Sequence, residues 1–355
     1  MSEIQSENHR KTDIKSMDLA ELKAFMTSIG EKPFRASQIY QWMHVRHVSS
    51  WDEMTNLSKA LREKLKEQAE LTVLEPVTIQ TSKLDGTKKY LFRLPDGNMI
   101  ESVLMRYKHG NSVCISSQAG CRMGCRFCAS TLDGLVRGLT PAEMLEQIYR
   151  VGEDIGERIS NVVVMGTGEP FDNYDNVMDF IKCANDQNGL AIGARHITVS
   201  TCGIPDKIRA YGKEGIQINL AISLHASNEA LREELMPICR AHPIPELFDA
   251  VADYEKNAGR RVTFEYILLR GVNDSLDNAN ELADLIHEYG IYAYVNLIPY
   301  NEVQEKPFKR SPSSAIKAFA DRLMKRGINT TIRKEFGSDI DAACGQLRAK
   351  YMKKK

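Results

Sequence analysis

The feature that most constrains the fold of this chain is an alternation, after residue 110, of short apolar runs with amphipathic stretches. Most of these stretches have helical length, and Thr140–Glu143 reads as a capping box with proline in the first turn. This alternation predicts an α/β fold with a parallel sheet and helical crossovers, which can curl into a full or partial barrel. The predicted strands cover 112–116, 161–165, 196–200, 217–223, 262–268, 292–298 and 328–332.

The first hundred residues have a different pattern. Apolar side chains recur at helical spacing up to about residue 70, and strand-like segments follow, with a turn at Pro95-Asp96-Gly97 before the last one. We therefore predict a disordered start, a helical module, a short β extension, a barrel domain and a C-terminal segment. These parts comprise residues 1–16, 17–70, 71–106, 107–340 and 341–355.

Charge and apolar content exclude several classes of protein. Lys+Arg and Asp+Glu both number 47 in 355 residues, so the chain does not coat nucleic acid by net charge alone, although a local basic face is compatible with this balance. No signal-peptide core and no apolar stretch of about 18 residues is found. We expect a cytoplasmic protein, in which eight cysteines indicate metal or redox chemistry rather than a disulfide scaffold.

Three of these cysteines, Cys121, Cys125 and Cys128, form a Cys-x3-Cys-x2-Cys motif after the first strand of the alternating region. Three thiolates bind three irons of a [4Fe–4S] cluster and leave the fourth iron open. As in catalytic metal sites generally, the open position is where a substrate binds. For radical chemistry that substrate is S-adenosylmethionine. A zinc site is the alternative, but it normally has a fourth Cys or His nearby, and none follows closely.

Polar residues follow several of the predicted strands. Gly168 and Glu169 come after one strand, and Ser200, the segment 223–225 and Asn301 come at the ends of others. In a parallel barrel these ends lie on one face, so the residues are expected to converge on one cavity. Taken singly, each would more often be a loop residue with satisfied hydrogen bonds.

Together these motifs resemble those of the radical-SAM superfamily and, over residues 17–348, those of the RlmN/Cfr family of RNA adenine methyltransferases. The motifs that carry the resemblance are CISSQ at 114–118, the three-cysteine motif, MGTGEP at 165–170, SLH at 223–225 and DIDAACGQL at 339–347. Pro170 favours the branch that methylates adenine C2 over the branch that methylates C8.

The resemblance implies a partial (β/α)6 barrel, a [4Fe–4S] cluster and two molecules of S-adenosylmethionine per turnover. The implied substrates are an adenosine in the peptidyl transferase centre of large-subunit rRNA and a tRNA adenosine next to the anticodon. The residues that match the cofactor-binding positions of the family are Gly168, Glu169, Ser200, Ser223, Leu224, His225 and Asn301.

Two further cysteines and a carboxylate acquire roles only through the resemblance, since a lone cysteine is more often a small buried residue. Cys344 matches a cysteine that is methylated and then joined to the adenine ring. Glu101 matches the acceptor of the ring proton, and Cys114 matches the cysteine that releases the RNA by forming a disulfide with Cys344. The remaining cysteines, Cys183, Cys202 and Cys239, are interpreted as packing residues.

The expected partners are rRNA, tRNA and an electron donor such as flavodoxin or ferredoxin, for a monomeric protein. Basic residues of the helical module and the tail could contact phosphate, although the sequence alone favours a solvated helix face and a solubilising tail. The resemblance implies instead that the helical module is an RNA-docking element. Two alternatives remain: a C8-methylating enzyme, and a non-catalytic iron–sulfur sensor that binds RNA. The basic candidates are Arg35, Lys59, Arg62, Lys64, Lys66, Arg348, Lys350, Lys353, Lys354 and Lys355.

Overall fold

The computed structural model describes residues 11–341 together with 347, 348 and 351, and it is built around a ten-stranded sheet. The strands are β1 (Thr12–Asp13), β2 (Ala69–Glu70), β3 (Glu75–Thr81), β4 (Lys88–Arg93), β5 (Met99–Tyr107), β6 (Gly110–Ile115), β7 (Gln118–Gly120), β8 (Leu135–Gly138), β9 (Ile159–Val164), β10 (Ile197–Thr201), β11 (Asn219–Ser223), β12 (Val262–Leu268), β13 (Ala293–Pro299) and β14 (Asn329–Ile332). Along the ten-stranded sheet they follow the order β14-β13-β12-β11-β10-β9-β6-β5-β4-β3.

Helices cross over between the parallel strands β6 and β9–β14, so six strand–helix units precede β14. This confirms the predicted α/β fold with a partial (β/α)6 barrel. Strands β3–β5 lie within the segment assigned to the β extension, and they continue the same sheet by antiparallel pairing from β6 outwards. The helices are α1 (Leu19–Ser28), α2 (Phe34–His44), α3 (Lys59–Gln68), α4 (Pro141–Ile155), α5 (Tyr174–Asn185), α6 (Pro205–Tyr211), α7 (Glu229–Leu235), α8 (Ile244–Ala258), α9 (Leu276–Glu288) and α10 (Ser313–Lys325).

Helix α4 begins where the sequence predicts. Thr140 accepts a hydrogen bond from the Glu143 amide (3.3 Å), and the Glu143 carboxylate accepts one from the Thr140 amide (3.0 Å), which closes the capping box. The helix is buried along most of its length, because one side packs on the sheet and the helical module covers another. Among the described residues, no helix is both long and apolar enough to cross a membrane.

The start of the chain corrects one prediction. Residues 1–16 were expected to be disordered, which is wrong for 11–16: Thr12–Asp13 pair with Ala69–Glu70, and a 3-10 turn follows. Its Lys15 is fully buried, and its Nζ lies 2.7 Å from Glu146 on α4. Polar composition suggested disorder here, but a buried ion pair with a distant helix cannot be read from local composition.

Replacement of Lys15 by Met should lower the free energy of unfolding by about 3 kcal/mol, because it leaves a buried carboxylate without one of its partners. Glu146 keeps Arg150, 3.2 Å away, which places the loss at the lower end of the usual range. Urea unfolding measures the change. The matched control is Lys182→Met, which removes an exposed pair with Asp179 and should change stability by less than about 0.5 kcal/mol. If Lys15→Met and Lys182→Met lowered the free energy of unfolding equally, the buried pair would not be what holds the N-terminal segment against α4.

Candidate active site

A cavity of about 320 Å³ opens at the carboxyl ends of the parallel strands. It brings together most residues that the sequence assigns to the cluster and the cofactor. This convergence is what a parallel sheet dictates, because all its strands end on the same face. The predicted residues in the cavity wall are Cys114, Cys121, Cys125, Cys128, Gly168, Glu169, Ser200, Ser223, His225 and Asn301.

The three motif cysteines lie on the loop between β7 and β8, a hairpin that the sequence patterns did not predict. The Cys121 amide donates to Gly134 O (2.9 Å) and the Cys128 amide to Cys125 O (3.2 Å), so the loop folds back on itself. Gly120 has a φ of +84°, and a Cβ there would collide with the Gly134 carbonyl. The loop therefore requires glycine at the position just before the first cysteine.

The environment of the thiols fits an iron–sulfur cluster. Burial raises the pKa of Cys121 to about 12, and burial followed by the neighbouring thiols raises the pKa of Cys125 well above its usual value. Three thiolates facing one apolar space need a cation to compensate them. Among the described residues, no three Cys, His, Asp or Glu side chains converge closely enough to hold a single metal ion. All three thiols line the same cavity, which offers space beside them for a larger group.

Gly168 and Glu169 form the adjoining wall, after β9. Gly168 has a φ of +116°, and a Cβ there would lie 2.7 Å from the Gln118 side chain, so glycine is needed for both conformation and space. Glu169 Oε1 accepts from the Phe171 amide and Thr201 Oγ1, while Oε2 accepts from the Cys202 amide (2.7 Å). A carboxylate offers about four accepting positions, so Oε2 can take one more donor, such as an ammonium group.

His225 follows β11 in a left-handed conformation, with a φ of +59°. Asn273 holds its carbonyl (2.9 Å), and the Ile267 amide donates to its Nδ1 (3.1 Å). Burial, followed by the charge of Arg232, lowers the pKa of His225 to about 3, so the ring is neutral with its proton on Nε2. Strained backbone held by surrounding contacts is typical of a functional position.

The other predicted cofactor residues differ in their exposure. Ser200 Oγ and Ser223 Oγ lie 3.3 Å apart on neighbouring strands and are half-buried. Asn301 is exposed at the rim. Leu224 is fully buried in the main core, and its amide donates to Glu265 O (3.1 Å), so a contact with the cofactor would have to come from its backbone.

Sequence reasoning missed Glu265, a buried carboxylate of β12 that lines the same cavity. It pairs in register with Ser223 and Asn296, and Asn296 Nδ2 donates to its Oε2 (2.9 Å). Burial raises the pKa of Glu265, and the opposing charge of Arg333 lowers it. The sequence feature that could have identified Glu265 is a single charged residue within a mostly apolar predicted strand, VTFEYIL at 262–268.

Cys114 lies on β6, buried, with its backbone in register opposite Val103 of β5. Two positions away on β5, Glu101 points to the same face as Val103 and forms a buried ion pair with Lys89 (2.7 Å). Its Oε1 also accepts the Arg348 amide (2.5 Å). The C-terminal segment is therefore bound beside Glu101, close to the wall that carries Cys114.

That segment is bound to the β extension on both sides of Cys344, which itself lies outside the described residues. Before it, Asp339 accepts from Ser82 (2.6 Å) and the Asp341 amide donates to Gln80 (3.0 Å). After it, Leu347 packs against Leu91 and Met99.

Comparison with known proteins gives the family. Residues 12–71 match the ribosomal RNA large subunit methyltransferase N-terminal domain, and residues 115–283 match the radical SAM superfamily. A probable dual-specificity RNA methyltransferase RlmN from Lachnospira eligens is 58% identical over 341 residues, which cover 96% of this chain and 97% of that protein. The chain belongs to the RlmN family of radical-SAM RNA methyltransferases. It is therefore an enzyme, with RNA as its substrate and with the cluster and S-adenosylmethionine that the superfamily implies.

Two further relatives agree with this assignment. The probable dual-specificity RNA methyltransferase RlmN from Bacillus subtilis is 53% identical over 343 residues, covering 96% of this chain and 94% of its own length. The crystal structure of a radical SAM methyltransferase from Sphaerobacter thermophilus superimposes with a TM-score of 0.90 at 43% identity, covering 94% of this chain and 98% of that one. The similarity thus spans the whole described structure, not the cluster motif alone.

The RlmN N-terminal domain contains five of the basic residues considered for RNA contact, and most of them are engaged within the protein. Lys64 pairs with Glu31 (3.1 Å), Lys66 with Asp52 (3.0 Å), and Arg35 lies over the Phe34 ring. Arg62 lies 3.9 Å from Asp52, and Lys59 is exposed. These surface pairs are weak and can exchange for phosphate at small cost.

Of the basic tail residues, the structure describes Arg348, which is buried. Arg348 is 8% exposed and pairs with Asp133 (3.2 Å), so its side chain fastens the segment to the cluster loop and is not an open phosphate ligand. The other tail residues proposed for RNA contact, Lys350, Lys353, Lys354 and Lys355, lie outside the described residues.

The three cysteines interpreted as packing residues are all buried. Cys183 packs in the main core from α5, and Cys239 donates from its Sγ to Glu229 (3.1 Å). Cys202 lines the cavity within the apolar cluster that includes Cys121. Its backbone amide makes the contact to Glu169 described above, and its thiol also lies at hydrogen-bonding distance from that carboxylate.

Proposed function

We propose that this RlmN-family enzyme methylates adenine C2 in large-subunit rRNA, at the peptidyl transferase centre, and in tRNA next to the anticodon. The dual specificity is supported by relatives that are more than half identical over nearly the whole chain and are named dual-specificity RNA methyltransferases. The proposal includes two molecules of S-adenosylmethionine per turnover, a flavodoxin- or ferredoxin-like electron donor, and a monomer in the cytoplasm.

Cys121, Cys125 and Cys128 would hold the cluster, and the adjoining wall would hold the cofactor. When bound, the cluster and S-adenosylmethionine supply the electron, the radical and the methyl group. Glu169, fixed by three donors, presents Oε2 to the cofactor's ammonium group. The neutral His225 offers an Nε2–H donor, and Ser200 and Ser223 offer hydroxyls. Leu224 through its backbone, Gly168 and Asn301 complete the proposed set.

Cys344 would carry the methyl group and become joined through its methylene to the adenine ring. A covalent carrier suits this reaction, since a ring sp2 carbon is a poor nucleophile and simple displacement would fail there. The base must also leave its stack to reach the cavity, which costs a few kcal/mol. Binding of RNA by the N-terminal domain and the adjacent β extension can offset that cost.

Release of the product would need Glu101 and Cys114. Glu101 takes the hydrogen of adenine C2 as a proton. Cys114 Sγ attacks Cys344 Sγ, the sulfur–carbon bond breaks, and the methylene carbon takes up a proton to complete the methyl group. The ring radical left by addition of the methylene loses one electron along with the C2 proton, and the oxidised cluster would accept it, which balances the electron consumed in cofactor cleavage. The disulfide that forms must then be reduced by a thiol before the next turnover.

The observation that carries the proposal is the hydrogen bond from the Arg348 amide to Glu101. Arg348 lies four residues after Cys344, and an extended residue spans about 3.5 Å. This hydrogen bond limits how far the chain can carry the proposed methyl carrier from the proposed proton acceptor, and so supports the proposal. A sensor without methyl transfer would need neither this tether nor a cofactor wall.

The test is to map methyladenosines in total rRNA and tRNA from cells with and without the gene. We expect 2-methyladenosine to disappear from both RNA classes and to return with the wild-type gene. Loss from rRNA alone would remove tRNA from the proposal. Appearance of 8-methyladenosine instead would establish the C8 alternative, and unchanged RNA would contradict the function.

Glu101→Gln should lower turnover about a hundredfold or more, because a general base contributes that much to a proton transfer. The amide oxygen replaces only one of the two accepting oxygens, so glutamine keeps one of the contacts to Lys89 and the Arg348 amide. Cys344 should remain methylated, because Glu101 acts after that step, as peptide mass analysis would show. Glu75→Gln, an exposed position on β3, should leave turnover unchanged. Normal turnover of Glu101→Gln would remove it from the mechanism.

A further inference from the structure

Arg232, in the middle of α7, carries a charge that the mechanism above does not use. Its side chain is completely buried, and Nη2 donates to the carbonyl of Cys202 (2.5 Å). Its Nε and Nη1 are also buried, and neither has a hydrogen-bond partner in the described part of the chain. No carboxylate in that part lies within 4.0 Å of the guanidinium. A buried cation in this state costs several kcal/mol unless a negative charge compensates it.

The surroundings of Arg232 show where that negative charge would come from. Cys202 lines the cavity beside the motif cysteines, and Leu235, one turn after Arg232, accepts the Arg126 amide from the cluster loop (2.9 Å). Leu235 and Met236 pack in the same apolar cluster as Cys121. The guanidinium therefore lies directly behind the proposed cluster site.

We propose that Arg232 is the buried counter-charge of the iron–sulfur cluster and holds its reduction potential high enough for the electron donor to reduce it. A [4Fe–4S] cluster on three thiolates is anionic, and reduction adds one more negative charge. A fixed cation in a medium of low dielectric favours the more negative state, and net charge is one of the main determinants of cluster potential. Arg232 is thus a positioning residue that acts through the cluster, and this inference rests on the cluster site proposed above.

The carboxylates near Arg232 do not replace the cluster as its partner. Glu229 is engaged by Cys239 Sγ and by the Ile244 amide (2.8 Å). Glu169 lies on the other side of Cys202, where its Oε2 accepts from the Cys202 amide. Both carboxylates are held by other donors. In the protein without its cluster, Arg232 therefore keeps two buried nitrogens that have no hydrogen-bond partner among the described residues, which is energetically unfavourable.

The experiment compares Arg232→Met with Arg232→Lys, which keeps the charge. Arg240→Met is the matched control, because it removes an exposed arginine just after α7. Iron content, an electron-paramagnetic-resonance redox titration of the reconstituted protein, and thermal unfolding with and without the cluster are measured. We expect a more negative midpoint potential in Arg232→Met, with Arg232→Lys closer to wild type and Arg240→Met unchanged.

The unfolding measurements separate this role from a structural one. Without the cluster, Arg232→Met should melt at the wild-type temperature or above it, because an uncompensated buried charge has been removed. Cluster loading should then raise its Tm by less than in wild type. The largest form of this weaker cluster binding would be an Arg232→Met protein that folds but takes up no cluster, while Arg232→Lys still takes it up.

Three results would overturn the inference. These are an unchanged potential at full iron content, an Arg232→Met protein that is unfolded or less stable without the cluster, and an Arg232→Lys protein that shifts as far as Arg232→Met. If wild type itself failed to hold four irons, the cluster site would be wrong instead. Iron content therefore distinguishes failure of this inference from failure of the proposed function.

Discussion

Cys114→Ala is expected to reduce turnover to background and to accumulate as protein with RNA covalently attached. The substitution leaves the cluster loop, the cofactor wall and Cys344 in place, so methylation of Cys344 and addition to adenine can proceed. Release then fails, because no second thiol is available to attack the sulfur of Cys344. A denaturing gel would show the adduct as a shifted band that nuclease treatment removes.

Two further variants make this result specific. Cys114→Ala combined with Cys344→Ala should show no adduct, since the methyl carrier is absent. Cys183→Ala also removes a buried thiol, but from α5 in the main core, and it should turn over normally without an adduct. Normal turnover of Cys114→Ala, or a stall without attached RNA, would exclude the release role.

The second large effect is expected at the motif cysteines. Cys125→Ala should abolish both cluster absorbance and RNA methylation, because three thiolates are the fewest that hold a [4Fe–4S] cluster with one open iron. Iron analysis and the visible spectrum of the anaerobically reconstituted protein measure the loss. The same result is expected for Cys121→Ala and for Cys128→Ala.

Cys202→Ala is the matched control for the cluster. Its thiol is buried in the same cavity wall and packs in the same apolar cluster, but it is not among the proposed ligands. It should retain four irons per chain. Full iron content in Cys125→Ala, or loss of iron in Cys202→Ala, would show that the ligands have been assigned to the wrong cysteines.

Much of the fold follows from local patterns. The apolar run at 262–268 coincides with β12, and the capping residues from Thr140 mark the start of α4. The convergence of Glu169, Ser200 and His225 on one cavity follows from the parallel strands that precede them. These features are predictable because each depends on spacing within a few residues and on one general rule for parallel sheets.

The features that were missed depend on contacts between distant parts of the chain. The segment of α7, EALREEL, has the composition of a solvated helix, yet Arg232 is buried because the helix lies behind the cluster loop. Lys15 is ordered by Glu146, 131 residues away. The hairpin of β7 and β8 has too few residues for a period to be visible. In each case tertiary placement, rather than local composition, determines the structure.

The most direct test of methyl transfer through Cys344 uses S-adenosylmethionine with a trideuterated methyl group. In the proposed route the CD3 group is placed on Cys344, loses one deuterium before it joins the ring, and takes up a proton on release. The product adenosine should then carry a methyl with two deuterium atoms and one hydrogen. The third deuterium should appear in 5′-deoxyadenosine, and mass analysis of the nucleosides measures both products. A product methyl that keeps all three deuterium atoms would show direct transfer and would contradict the account.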